Sequence, residues 1–136
     1  MNTEKVYILE DRGILYISGP DSKKFLQNLI SNNIEKVNES KSCFASLLSP
    51  QGKFLFDFIV IKHKDGYLLD CEKRIIDQLY KKLIPYKLRS DVEILNLSNE
   101  FVVAAFNRET FLSIEGTKDD LGYTTKYNDC LLYTSP

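Results

Sequence analysis

The chain has 136 residues, 43% hydrophobic and 27% charged, enough for one soluble domain with a real core. A formal net charge of -1 excludes a nucleic-acid binder that works by bulk electrostatics, and no apolar run is long enough to span a bilayer. Cys43, Cys71 and Cys130 lack metal-ligand spacing and His63 is the single histidine, so no zinc or iron-sulfur site is expected within the chain. Cys43 and Cys71 read as small core residues of a reducing compartment. The N-terminus lacks a secretory pattern, and a cytoplasmic address follows by default.

In chain order, Val6 to Leu9 and Ile14 to Ser18 predict two short strands separated by the turn Glu10-Asp11-Arg12-Gly13. Gly19-Pro20-Asp21 then opens a helix. Proline suits a first turn and Asp21 complements the positive end of the dipole. Phe25, Leu26, Leu29 and Ile30 carry helical spacing, and Asn32-Asn33 marks the exit. Glu35 to Ser42 reads as a surface connection. Cys43 to Leu48 predicts a strand that the turn Pro50-Gln51-Gly52 leads into Phe54 to Ile61. Asp65-Gly66 is a hairpin signal returning through Tyr67 to Cys71.

A longer helix is expected from about Glu72 to Tyr86, with Ile75, Ile76, Leu79, Leu83 and Ile84 as a core-facing stripe. Lys81, Lys82 and Lys87 read as charges that complement its C-terminal dipole. Lys87 to Ile94 leads into a further strand, and Phe101 to Phe106 gives one more. Strands joined by hairpins, with helices between them, define an α+β domain.

The most informative position is Asp57, an acid inside the most apolar run, Phe54 to Ile61. Period-two alternation puts Phe54, Phe56, Phe58 and Val60 on one face, and Leu55, Asp57, Ile59 and Ile61 on the other. Both faces are apolar, as in a strand covered on both sides. A carboxylate there must be paired, hydrogen-bonded, protonated or bound to something. Two readings are open: an acid satisfied by the protein or facing solvent at a sheet edge, or one that meets a ligand.

These segments resemble a known family. Ile17-Ser18-Gly19-Pro20-Asp21 followed by Phe25 to Ile34 is similar to the first helix of the glycine cleavage T-protein (GcvT) superfamily. Phe44 to Lys53, followed by Asp57, resembles its signature hairpin. Tyr86 to Val92 resembles the YgfZ branch, which includes IBA57-like mitochondrial iron-sulfur assembly factors. The resemblance covers residues 6 to 95.

It implies an α+β folate-binding domain, a mainly antiparallel sheet with packed helices, here incomplete and spanning residues 1–129. Tetrahydrofolate would lie in a central channel, which a second half of the family fold closes. In the superfamily's aminomethyltransferases an acid after the Gln-Gly turn lies near the reacting folate nitrogens, and motif position carries that role to Asp57. Those enzymes often have two adjacent acids. Here the first is Phe56, so transferase chemistry and folate binding alone are both open. Asp70 falls near a folate-contacting polar position of the family, or is a helix-opening acid. Phe44 would supply aromatic contact area.

The implied function is a folate-binding protein of iron-sulfur cluster assembly or maintenance, with tRNA modification among the processes served. The setting would be bacterial and cytoplasmic. Expected partners are folate and iron-sulfur proteins or assembly factors, with no direct nucleic-acid or membrane binding. The alternative is a tetrahydrofolate-dependent aminomethyltransferase or demethylase, although no independent catalysis is expected of the fragment. The later Lys-Gly-Cys-Tyr-x-Gly-Gln-Glu type motif of YgfZ proteins is missing, so no cysteine is assigned a function. Finally, residues 130–136 resemble the translation of a common sequencing adapter, which puts the native end near Asp129; a genuine strand from Leu131 to Thr134 is the alternative.

Overall fold

Strand β2 (Arg12–Ser18) runs through the computed structural model between two neighbours, β5 (Gly66–Glu72) and β6 (Glu93–Asn96). Together with β3 (Cys43–Leu48) and β4 (Phe54–His63) they form an antiparallel sheet in the order β3-β4-β5-β2-β6. The structure describes residues 6–114, 122–127 and 130–133. Two further two-stranded sheets pair β1 (Val6–Ile8) with β7 (Ala104–Phe106), and β8 (Thr124–Tyr127) with β9 (Cys130–Tyr133). The α+β expectation with a mainly antiparallel sheet therefore holds.

Alternation along these strands sorts the apolar residues onto two faces. On the first face, Leu15, Leu69, Val60 and Cys43 stand in one row across four strands, all buried. Ala45 and Phe58 are paired on the same side. Helices α1 (Ser22–Gln27) and α2 (Ile76–Leu83) pack here through Phe25, Leu26, Ile76, Leu79 and Leu83. Each such side chain contributes about 1.5–3 kcal/mol on full burial. On the second face, Ile14, Ile61 and Leu68 form a smaller cluster covered by Leu97, Phe101 and Val103.

Several local expectations are corrected. The first helix stops at Gln27, and Leu29 and Ile30 lie in the turn that follows. The second is an α-helical middle flanked by tight 3-10 turns over Lys73–Ile75 and Ile84–Arg89. Pro85 sits in the second of these, where an α-helix could not continue. Asp21 makes no side-chain cap; its carboxylate accepts from the Asp91 amide at 2.7 Å, tying the start of α1 to the entry of β6. Val6–Ile8 pairs with Ala104–Phe106, and Arg12, expected in a turn, opens β2. Of the strand expected over Phe101 to Phe106, only the last three residues are strand. Helix α3 (Arg108–Ser113) lies outside the expected elements, and Asn107 caps it by accepting from the Thr110 amide at 2.7 Å.

The supposed surface connection Glu35 to Ser42 is partly core. Val37 and Ser42 are buried, and the Ser42 amide donates to the Gly122 carbonyl at 2.7 Å. The β4–β5 turn is formed by Lys64 and Asp65, with Lys64 at φ 50°, while Gly66 already pairs with His63. Gly66 is required by approach rather than by turn conformation, since a Cβ there would lie 2.2 Å from the Ile17 carbonyl oxygen. Residues 130–133 form strand β9; residues 134–136 lie outside the described residues.

Candidate functional site

The second face of the sheet carries the residues singled out in the sequence. Register places Ile14, Asp70, Ile59 and Phe44 in one row across β2, β5, β4 and β3. Asp57 lies two residues before Ile59, on the same face, opposite Ser46. Phe44, Asp57 and Asp70 thus surround Ile59, which the chain separations of these residues do not reveal. Phe56 points to the opposite face and packs against the helix-side core. Of positions 56 and 57, it is therefore the acid at 57 that shares a face with Phe44.

The packing beneath explains why this end of the face is open. Segment 97–103 covers the Ile14–Leu68–Ile61 end, leaving the Phe44–Asp57 end uncovered by that cluster. Phe44 is 49% exposed, and Leu48 and Phe54, paired across β3 and β4, are exposed as well. The outer edge of β3 is held by residues 31 and 32. The Ser31 amide donates to the Ser46 carbonyl at 2.9 Å, the Ser46 amide donates to Ser31 Oγ at 2.9 Å, and Asn32 Nδ2 donates to the Phe44 carbonyl at 3.0 Å. This covers an edge that would otherwise invite another strand.

The two acids differ in environment. Asp57 is half-buried rather than enclosed, and it takes part in none of the ion pairs among the described residues. Asp70 is the enclosed acid, 2% exposed, and it lies within β5 rather than at a helix start. Arg12 Nε donates to Asp70 Oδ1 at 2.9 Å and Arg12 Nη2 donates to the Asp70 carbonyl at 3.0 Å. A buried carboxylate needs such a partner, so the sequence conflict noticed at position 57 applies more strongly to position 70. Arg12 does not stand out as a site residue in the sequence. Its signal is the paired strand itself, since only the β2–β5 register brings it beside Asp70.

Cys71, buried on the opposite face, reports the local field. Its thiol is pushed up to about 12, first by burial; Arg12 pulls it down, and Asp70, Asp57 and Glu72 push it further up. Burial also raises the Cys43 thiol. Neither cysteine is a ready nucleophile. Among the described residues no group of three or more His, Cys, Asp or Glu side chains is placed to hold a metal ion. What remains is an accepting carboxylate beside Ile59 and an exposed phenyl ring. That set suits a flat heterocycle with neighbouring N–H donors.

No family model matches the chain. Its backbone is similar to the crystal structure of the glycine cleavage system aminomethyltransferase T from Bartonella henselae, with a TM-score of 0.75 over 89% of this chain and 35% of that chain, at 14% identity. The domain therefore has the GcvT fold, in incomplete form. In sequence it is 28% identical over 144 residues to the mitochondrial iron-sulfur cluster assembly factor IBA57 homolog of Mycosarcoma maydis, covering 90% of this chain and 36% of the relative. It is 23% identical over 154 residues to the corresponding IBA57 homolog of Dictyostelium discoideum, covering 94% of this chain and 37% of the relative. The chain thus combines the GcvT fold with a sequence similar to IBA57 homologs over nine-tenths of its length, and it spans about a third of the length of the curated relatives it matches. No helix among the described residues is long and apolar enough to cross a membrane.

Proposed function

We propose that this chain is the folate-binding part of an iron-sulfur cluster assembly or maintenance protein, with tetrahydrofolate held against the open face at Asp57 and Phe44. The observation that carries the reading is the placement of Asp57, half-buried and outside every ion pair of the described residues, on one face with exposed Phe44. The IBA57 likeness over nine-tenths of the chain supports the iron-sulfur role. Partners would be iron-sulfur proteins or their assembly factors, including those of tRNA modification, with a cytoplasmic site of action. Bound folate supplies one-carbon chemistry at its ring nitrogens. Asp57 accepts from the pterin N–H groups and orients the ring, while Phe44 and Ile59 exclude water from its face. Asp70 acts from below, through its pairing with Arg12.

The test is calorimetric titration with 5-formyltetrahydrofolate. The native chain binds, and Asp57→Asn binds at least tenfold more weakly with an unchanged circular dichroism spectrum, as expected when a charge-assisted hydrogen bond is lost. Equal affinity of the two proteins would refute the site. A second reading, a tetrahydrofolate-dependent aminomethyltransferase, draws on the likeness to the Bartonella enzyme's fold. Aminomethyl transfer from a lipoyl carrier protein to tetrahydrofolate distinguishes the two, and the iron-sulfur reading expects none.

A further inference from the structure

We propose that the surface formed by the end of α2 and the 3-10 turn Ile84–Arg89 docks an acidic protein segment that carries an apolar pocket or anchor for Leu88. The inference goes beyond the folate reading, since this surface belongs to the helix layer and not to the face of Asp57 and Phe44. Leu88 is 88% exposed, more than any other large apolar side chain among the described residues, and Tyr86 is 45% exposed. The Ser90 amide donates to the Lys87 carbonyl at 3.0 Å and closes the turn, so Leu88 stands on hydrogen-bonded backbone.

Helical spacing sorts the segment into an inner and an outer side. Leu79, Leu83 and Ile84 pack into the helix-side core. Within a 3-10 turn residues three apart align, which puts Pro85 with Leu88 and Tyr86 with Arg89. Lys81 and Lys82 lie in the α-helical turn just before them. All six of these outer residues are exposed. The result is an apolar centre, Pro85, Tyr86 and Leu88, between two lysines at one end and an arginine at the other.

The charge of this stretch departs from that of the chain. From Tyr80 to Ser90 it holds Lys81, Lys82, Lys87 and Arg89 and no acid, against 18 basic and 19 acidic residues in the whole. None of the four enters an ion pair among the described residues, although Asp77 lies one turn before Lys81 and Asp91 two residues after Arg89. The dipole of α2 accounts for Lys81 and Lys82 in its last turn. It does not account for Arg89, or for an exposed leucine set between two cations. Charge complementarity makes the occupant acidic, and Leu88 with Tyr86 requires it to bring apolar surface as well. A phosphate backbone would use the cations and leave Leu88 in water. A bilayer surface calls for a long apolar helix face, and that of α2 is already buried in the core.

The experiment selects phage-displayed random peptides on the immobilised native chain and, in parallel, on Leu88→Ser, with circular dichroism checking that the variant keeps its fold. Peptides with Asp or Glu around a Leu, Ile or Phe are expected to be enriched on the native chain alone. One such peptide is then synthesised and titrated. Its Kd should rise about tenfold in Leu88→Ser, the effect of losing one buried apolar anchor, and at least as much in the double change Lys82→Glu with Arg89→Glu. It should also rise with salt, which screens contacts between exposed charges. No enrichment, enrichment of neutral or basic peptides, or equal affinity for Leu88→Ser overturns the proposal. Binding to phosphatidylglycerol vesicles that Leu88→Ser abolishes overturns it in favour of a membrane. A concentration-dependent dimer in sedimentation velocity that the same change abolishes overturns it in favour of a second copy.

Discussion

Asp70 and Ile59 are directly opposed on β5 and β4, so the enclosed acid lies beside the residue that Asp57 and Phe44 flank. One face therefore holds a paired acid and an acid outside any described ion pair within two adjacent strands. Burial separates the two: Asp70 is sealed and paired with Arg12, whereas Asp57 is partly accessible.

The Arg12–Asp70 pair should dominate local stability. Arg12→Ala or Asp70→Ala each removes one half of a pair whose acid is buried, and a loss of roughly 3 kcal/mol is expected in urea unfolding. The neutral double variant should lose clearly less than the sum of the single changes. Additive losses would show that the two side chains do not act as a unit.

Gly66 should tolerate nothing larger. A methyl group there would meet the Ile17 carbonyl oxygen at 2.2 Å and the Ser18 Cα at 2.8 Å, both backbone atoms of the neighbouring strand. Gly66→Ala is expected to cost about 2 kcal/mol or more, as overpacking does where backbone cannot yield. Gly52→Ala has open space and strains only the φ of 82°, so it should cost less. Thermal melts of the two variants provide the comparison.

Alkaline pH should weaken the fold through Tyr16. Its hydroxyl donates to Asp65 Oδ1 at 2.7 Å, and its pKa is raised to about 12 from 10.0, first by burial and then by that hydrogen bond. A raised folded pKa means that the folded state keeps its proton longer. The stabilisation is therefore present below pH 10.0 and is lost as pH rises toward about 12. Asp65 is held below 3.8, chiefly by the same hydrogen bond, so its contribution is lost at the acid end, below 3.8. Tyr16→Phe should flatten stability between about pH 10 and about pH 12; an unchanged slope contradicts the coupling.

Thiol chemistry offers a further check. Cys43 and Cys71 are 5% and 0% exposed, and burial raises both thiols. Alkylation mapped by mass spectrometry should leave both unmodified in the native protein and label both in urea. Rapid native labelling of Cys71 would contradict its packing in the helix-side core.

What the sequence shows of this molecule follows the range of the interactions involved. Phe54 to Ile61 reads as a two-faced strand from its own alternation, and Phe58 and Val60 indeed face the helices while Asp57 and Ile59 face away. The hairpins β3–β4 and β4–β5 are legible because each closes through a short turn. Arg12 is not, because β2 pairs with β5 across more than fifty residues and nothing local fixes that register. Asp70 reads locally as a helix opener for the same reason. The β1–β7 pairing, whose strands are three residues each, depends on an equally distant partner. Helix α1 is overestimated since Leu29 and Ile30 keep helical spacing while their backbone turns to meet β3, where Ile30 bridges Leu47.

The most direct test of the central claim is an amide-resolved NMR titration of the native chain with 5-formyltetrahydrofolate. The account expects shifts concentrated at Phe44, Ser46, Asp57 and Ile59, with Leu79 and Leu83 of the opposite layer unmoved. Asp57→Asn should abolish them at the same ligand concentration. Shifts confined to the helix side, or none at saturating folate, would contradict a folate site on this face.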